Sequence, residues 1–451
     1  MSETYDLIVI GAGPGGYTAA ILAAKKGLRV GIAEGSRFGG TCTNTGCIPT
    51  KTYIESVSLL MKIRNAEKFG IRVENPAVDF TRVKARKDRV VTRLSKGVEY
   101  LLKHHGVDIF PCMADIEEPG IIRAQDMRLK ARNTVIATGS KPKRPRLFEA
   151  GGIWTSDEVF DITELPESLA IIGAGVIGME MAHIFSTLGV DVTLIEARER
   201  ILPLEDEHVS VYMTKLLRKL SVYTSAYVSH VEGSGPYALS VDTPEGKKTI
   251  DAEQVFLCIG RDPVVPDGCE KLGVLRRDSG GIVVDEHLQT TVPGVYAIGD
   301  VTGEHMYAYV ASREAAVAVD HITGGSETIS YRNIPSVIYT HPEIASVGIS
   351  SSVDGTRASR TGTFPLSALG RARTMEAGDG YAHITASPEG MLQRISIIAP
   401  HATDLIAWAA LAVDQGLTAE QFLGAYCPHP TLSEILKEAA EDLLGVNVHK
   451  P

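Results

Sequence analysis

Leu7-Ile8-Val9-Ile10-Gly11-Ala12-Gly13-Pro14-Gly15-Gly16 opens the chain with a short apolar run and a glycine-rich turn, and small residues fit for a helix continue through Ala24. The apolar run suits a parallel strand buried on both faces. In a G-x-G-x-x-G turn the first glycine makes the bend and the second lets backbone approach a pyrophosphate. The third allows the helix to pack closely on the strand. The pyrophosphate would rest on the helix N-terminus, where free amides and the helix dipole favour negative charge. Glu34 closes the next apolar run and is placed to bind ribose hydroxyls.

The same unit recurs. Leu169-Ala170-Ile171-Ile172 leads into Gly173-Ala174-Gly175-Val176-Ile177-Gly178, then a helix, then Val192-Thr193-Leu194-Ile195 ending in Glu196. One such motif is a weak signal, but two with strand, helix and terminal acid point to two bound dinucleotides. A carboxylate at Glu196 would repel a 2′-phosphate and so favours NAD, although Arg198 and Arg200 leave NADP open.

Two further segments, Val135-Ile136-Ala137-Thr138-Gly139-Ser140 and Val295-Tyr296-Ala297-Ile298-Gly299-Asp300, read as buried strands ending in ligand-facing turns. Ligands of open α/β sheets bind outside the carboxyl ends of the strands. Both segments are therefore expected to complete one nucleotide site, although they lie on either side of the second unit. The expected fold is α/β, with two Rossmann-like dinucleotide-binding domains, one inserted in the other. From about Tyr331 the pattern shortens and alternates, as in Gln393-Arg394-Ile395-Ser396-Ile397-Ile398, and helices are expected near Leu405–Gln415 and Leu432–Leu444. A third, C-terminal α+β domain follows. The expected boundaries are 1–144 and 265–330 for the first nucleotide domain, 145–264 for the second, and 331–451 for the last.

Composition bounds the rest. A chain of 451 residues has room for about three domains at roughly 150 residues each. With 45 basic against 55 acidic residues, a net −10, nucleic acid is a disfavoured partner, because a phosphate backbone is bound through a positive field. No apolar run approaches the roughly 18 residues that span a bilayer. Met1-Ser2-Glu3-Thr4-Tyr5-Asp6 carries no basic n-region, so the expected location is cytoplasmic, without a membrane. No metal-ligating motif stands out.

Of six cysteines only Cys42 and Cys47 are close in sequence; Cys112, Cys258, Cys269 and Cys427 read as small core side chains. Cytosolic disulfides are usually catalytic or redox-sensing. The close pair lies in Gly39-Gly40-Thr41-Cys42-Thr43-Asn44-Thr45-Gly46-Cys47-Ile48-Pro49-Thr50-Lys51. A regular helix would part the two Cα atoms by about 7.5 Å along its axis, while a disulfide needs roughly 4.4–6.8 Å. The segment is therefore expected to be a distorted turn entering a helix near Ile48, with Gly46 and Pro49 as the distorting residues. Two unpaired core cysteines are the bland alternative.

Gly-Gly-Thr-Cys-x-Asn-x-Gly-Cys-Ile-Pro-x-Lys resembles the signature of the pyridine nucleotide–disulfide oxidoreductases. The likeness extends to the Ala-Thr-Gly-Ser turn, the second glycine loop, Ile259-Gly260-Arg261-Asp262-Pro263 and Tyr296-Ala297-Ile298-Gly299-Asp300. The resemblance implies FAD in the first unit and NAD(P) in the second. Around FAD it implies Gly11, Gly13, Gly16, Glu34, Thr41, Lys51, Ala114, Thr138, Gly139, Asp300 and Ala308; around the nicotinamide nucleotide, Gly173, Gly175, Gly178, Glu196 and Gly260. Cys42 would be the interchange thiol and Cys47 the thiol lying against the flavin. Lys51 would sit near flavin N5, paired with Glu180, where an ammonium stabilises negative charge on the reduced ring.

Near the C-terminus stands His429-Pro430-Thr431-Leu432-Ser433-Glu434. Thiol–disulfide exchange needs a thiolate, and a free dithiol is mostly protonated at neutral pH. Histidine is the usual base, and Glu434 is the candidate to orient it; a turn histidine beside proline is the alternative. This block, Gly370-Arg371-Ala372 and the acid at Glu196 look most like the dihydrolipoamide dehydrogenase branch of the family. In that branch the base comes from the opposite subunit of a homodimer, and the partner is the lipoyl-bearing carrier protein of a 2-oxoacid dehydrogenase or glycine-cleavage complex. Cys427 and Tyr309 stand where that branch tends to carry histidine. A stand-alone NAD(P)H-dependent disulfide reductase for glutathione or another thiol, and a non-catalytic flavin redox sensor, are the competing readings.

Overall fold

The computed structural model describes residues 4–149, 151–218, 220–349 and 360–450, which form two compact units. The first comprises Met1–Ser56, Val78–Leu165 and Leu257–Ser330; the second comprises Val57–Ala77, Pro166–Phe256 and Tyr331–Pro451.

In the first unit the strand Tyr5–Ile10 lies parallel between Val30–Ala33 and Met127–Ile136, with Asp108–Phe110 outside Val30–Ala33. Successive side chains of a strand point to opposite faces. Leu7 and Val9 accordingly enter one core with Ala19, Ala23 and Tyr296, while Ile8 and Ile10 enter another with Ile116, Ile122 and Ala297. Burial on both faces is what the uninterrupted apolar run requires. The helix Pro14–Lys25 has only small residues on its buried side, Gly15, Gly16, Ala19, Ala20 and Ala23, which lets it pack close to the sheet and to the helix Ala308–Ile322. A Cβ on Gly16 would come 1.9 Å from the Gly11 carbonyl oxygen, so alanine there would force strand and helix apart.

The returning strand Val295–Ala297 pairs parallel with the end of Met127–Ile136, Tyr296 opposite Val135. The two segments separated by the second nucleotide unit thus meet in one sheet, as an insertion requires. Arg261–Pro263 pairs antiparallel with Ser140–Pro142, and the Leu257 amide donates to the Trp154 carbonyl. Through these ladders residues 145–165 and 257–264 belong to the first compact unit.

The second unit holds a four-stranded sheet in the order 221–223, 191–195, 168–172, 254–257, whose first three strands run parallel. A three-stranded antiparallel meander, Tyr227–Gly233, Tyr237–Thr243 and Gly246–Ala252, accompanies it. The C-terminal part is a five-stranded antiparallel sheet with helices Ala402–Asp414 and Glu434–Leu444 packed on it. A short helix, Ala419–Leu423, closed by a Thr418–Gln421 capping box, joins them and was not among the expected elements. A buried polar knot ties this unit together. Glu205 accepts from Ser336, Ser346 and Arg394, and Asp206 accepts from Arg394 and Ser396. Every charge in it has a partner, which is the condition for burying them.

Candidate active site

The two glycine loops are built alike. Glu34 accepts the Ala12 and Ser36 amides, each at 2.8 Å. Glu196 accepts the Ala174 amide at 2.7 Å and the Arg198 amide at 2.9 Å. Each acid thus fixes its own loop and still keeps lone pairs, since a carboxylate offers about four acceptor sites. Gly11 (φ +98°) and Gly173 (φ +106°) make the bends in backbone conformations that favour glycine. A Cβ on Gly13 would meet nothing closer than Gly40 Cα at 4.0 Å, and one on Gly175 nothing within 4 Å. Both second glycines therefore face open space at a helix N-terminus, the cradle a pyrophosphate needs. Gly178 is buried on the helix Val176–Leu188.

The strand ends complete the first site. The Gly139 carbonyl accepts the Val264 amide at 2.9 Å, and Thr138 Oγ1 donates to the Val264 carbonyl. Ser140 Oγ donates to Asp300, and Arg261 Nε donates to Ser140 Oγ at 2.7 Å and stands 4.0 Å from the Asp300 carboxylate. Buried Glu314 accepts the Gly299 amide beside Asp300. Arg261 lies in a quoted motif, whereas nothing in the sequence marked Glu314. Ala114 opens the strand Ala114–Glu118 in the sheet core, and Gly260 lies in the first unit, its carbonyl accepting the Lys143 amide at 3.0 Å.

The cysteine segment is a broken helix. Gly40–Asn44, which contains Thr41 and Cys42, ends at Thr45 (φ −137°), and Cys47 begins the helix Cys47–Arg64. Asn44 Nδ2 donates to the Phe38 and Gly40 carbonyls at 3.1 and 2.8 Å, holding the first piece. The break brings the sulfurs together, with the Cys42 thiol hydrogen-bonded to Cys47. That hydrogen bond, then burial, then charge on Cys47 push the Cys42 thiol up, with Lys51 opposing them. Cys47 sits at the first turn of an 18-residue helix, where the dipole favours a thiolate. Lys51 follows one turn along the same helix.

Cys42 opens on a cavity of about 410 Å³ whose apolar walls include Tyr17, Ile48, Leu94, Leu101 and Tyr309. Ala308, the first residue of its helix, lines it too.

In the second unit Glu180 is buried on the helix Val176–Leu188 and accepts the Tyr339 amide at 3.0 Å. His429 Nδ1 lies 2.9 Å from Glu434 Oε1, and Glu434 Oε2 accepts the Thr431 amide at 2.8 Å. A carboxylate only accepts, so Nδ1 is the donor in this pair and Nε2 is the ring nitrogen left outside it. The His429 ring is 77% exposed. Cys427 Sγ contacts Ser433 Oγ at 3.7 Å. Among the described residues no cluster of three or more histidine, cysteine or acidic side chains is placed to hold a metal, and no helix is long and apolar enough to cross a membrane.

Residues 5–315 match the model of the pyridine nucleotide-disulphide oxidoreductases, and residues 334–440 match the dimerisation domain of the same family. The chain belongs to that family. Dihydrolipoyl dehydrogenase of Chlamydia pneumoniae is 37% identical to it over 459 residues, covering 99% of this chain and 98% of that protein. Among solved structures, LpdA from Mycobacterium tuberculosis is 27% identical with a TM-score of 0.88, covering 96% of this chain and 98% of that one. A Cu(II) complex of the HOCl-induced flavoprotein disulfide reductase RclA from Escherichia coli is 26% identical with a TM-score of 0.85, covering 96% and 98%. As a member of this oxidoreductase family the chain is an enzyme whose cofactors are FAD and NAD, and the two open glycine cradles fit them.

Proposed function

We propose that the chain is a dihydrolipoamide dehydrogenase, oxidising a lipoyl dithiol through the Cys42–Cys47 disulfide and delivering the electrons to NAD. The carrying observation is the cavity on Cys42: its apolar walls suit a thin aliphatic dithiol arm and offer no ionic partner to a charged peptide disulfide. The full-length likeness to dihydrolipoyl dehydrogenases supports the same reading.

His429, held by Glu434 with Nε2 free, takes a proton from the substrate dithiol. The resulting thiolate attacks Cys42 of the disulfide, and Cys47 leaves as thiolate; the second substrate thiol then displaces Cys42, closing the substrate disulfide. Bound FAD supplies the two-electron step between Cys47 and the nicotinamide. Gly11, Gly13, Gly16, Glu34, Thr41, Ala114, Thr138, Gly139, Asp300 and Ala308 would hold it, with Lys51 beside the ring. Gly173, Gly175, Gly178, Glu196 and Gly260 would hold the nicotinamide nucleotide, the Glu196 carboxylate favouring NAD. His429 acts on Cys42 of a second copy, so the unit of activity is a homodimer, for which a dimerisation domain is present. The physiological donor is a lipoyl-bearing carrier protein in the cytoplasm. Steady-state rates with lipoamide and NADH against glutathione disulfide and NADPH test this: the first pair is expected to win by at least about a hundredfold, and preference for the second would overturn the reading.

A further inference from the structure

The helix Phe80–His104 concentrates positive charge in an acidic chain. Its 25 residues hold eight Lys and Arg against two acids, Asp88 and Glu99, while the whole chain is −10. Both acids are already engaged, Asp88 by Lys84 and Lys87 and Glu99 by Lys103. Arg82, Arg86, Arg89, Arg93 and Lys96 recur at steps of four and three, which places them on one helix face. All five are exposed. Arg82 reaches Asp79 at 3.4 Å and Arg86 reaches the Thr52 carbonyl, but Arg89, Arg93 and Lys96 have no ion pair or hydrogen bond among the described residues.

The position of the stripe matters as much as its charge. The same helix buries Val91 and Leu102, and at 3.6 residues per turn the stripe lies opposite them. The face between, Leu94, Gly97, Val98 and Leu101, lines the cavity on Cys42. Leu94 and Leu101 are 43% and 42% exposed and form an apolar rim. A body seated on the stripe therefore stands beside the entrance to the reactive thiol.

We propose that this face docks an acidic protein domain that presents a dithiol arm to Cys42. The inference rests on the lipoyl reading above for the arm, and on the stripe for the domain. Outside this helix the chain carries 37 basic against 53 acidic residues, so the stripe stands out against an acidic remainder and steers an acidic domain towards the entrance. A bilayer is a poorer fit, because the stripe itself is all Arg and Lys and carries no apolar side chain to insert.

The test uses the triple variant Arg89→Glu/Arg93→Glu/Lys96→Glu in the full-length, FAD-loaded enzyme. Its substrates are free dihydrolipoamide and a reduced lipoylated domain of strongly acidic composition. With the domain, kcat/KM of the wild type should fall about tenfold between about 20 and about 200 mM salt. The variant should be at least about tenfold slower at low salt and nearly salt-independent. Free dihydrolipoamide turnover, thermal midpoint and sedimenting mass should be unchanged. Equilibrium binding of the same domain reads the docking even without turnover, and a failure of free dihydrolipoamide would count against the lipoyl reading instead. Equal rates of both proteins with the domain, or equal binding, would overturn the proposal. So would a matching loss with free dithiol, a selective loss with glutathione disulfide, which would make the stripe a site for a small anionic disulfide, or a changed mass, which would make it a contact between copies.

Discussion

The two glycine loops share one frame and differ in what is attached to it. In both, a terminal glutamate clamps the alanine amide of its own loop and the amide two residues beyond the glutamate itself, Ala12 and Ser36 in the first, Ala174 and Arg198 in the second. In both, the second glycine faces empty space. The first loop is followed by the broken helix with Cys42 and Cys47, and two strand ends from distant sequence return to it. The second leads to the buried Glu205–Asp206–Arg394 knot. Nucleotide binding is thus a repeated module, whereas the thiol chemistry depends on one helix break that follows only the first copy.

Removing the interchange thiol should separate the copies most sharply. Cys42→Ser is expected to lower dithiol turnover by at least about 10³-fold, while FAD content and NADH oxidation by an acceptor acting directly on the flavin persist. Full lipoamide activity in that variant would mean the sulfur roles are wrong. His429→Gln should slow dithiol oxidation by about 10²–10⁴-fold with the artificial-acceptor rate intact; equal losses in both assays would point to a folding defect.

The loops themselves can be set against each other. Gly13→Ala should fold but lose FAD, because its methyl fills the first cradle. Gly175→Ala should keep FAD and raise the KM for NAD by about tenfold. If both changes affected FAD content alike, the two cradles would not be independent. Gly16→Ala should instead fail to fold, since its Cβ would strike backbone.

A smaller effect should appear with acid, and in the second unit. Burial, with the His341 charge adding to it, holds His183 at about 4, and burial, with the His208 charge, holds His383 at about 4, against an ordinary 6.5. Between those values the unfolded chain binds protons that the folded one refuses, so stability is present above pH 6.5 and drains as pH falls towards about 4. Urea midpoints should drop across that window, and His183→Gln should flatten the drop. An unchanged slope would contradict the assignment.

Much of this was legible in the sequence because its signals are local. Strand, turn, helix and terminal acid lie within about twenty residues, and the helix break follows from asking two cysteines five apart to touch. The meeting of Val135 with Tyr296 was legible for a different reason, since both segments end in ligand-facing turns. What stayed hidden depends on partners far apart in the chain. Gly299 with Glu314 and Arg394 with Glu205 are pairings that no spacing rule reveals. The basic stripe was hidden by averaging, because a chain-wide charge of −10 conceals one helix of opposite sign.

The most direct test of the central claim is an anaerobic titration of the FAD-loaded wild type with dihydrolipoamide, followed by addition of NAD. The account predicts a long-wavelength charge-transfer band from the Cys47 thiolate at one equivalent of dithiol, and its discharge into NADH when NAD is added. Flavin reduction without that band, or a band that NAD does not discharge, would contradict it.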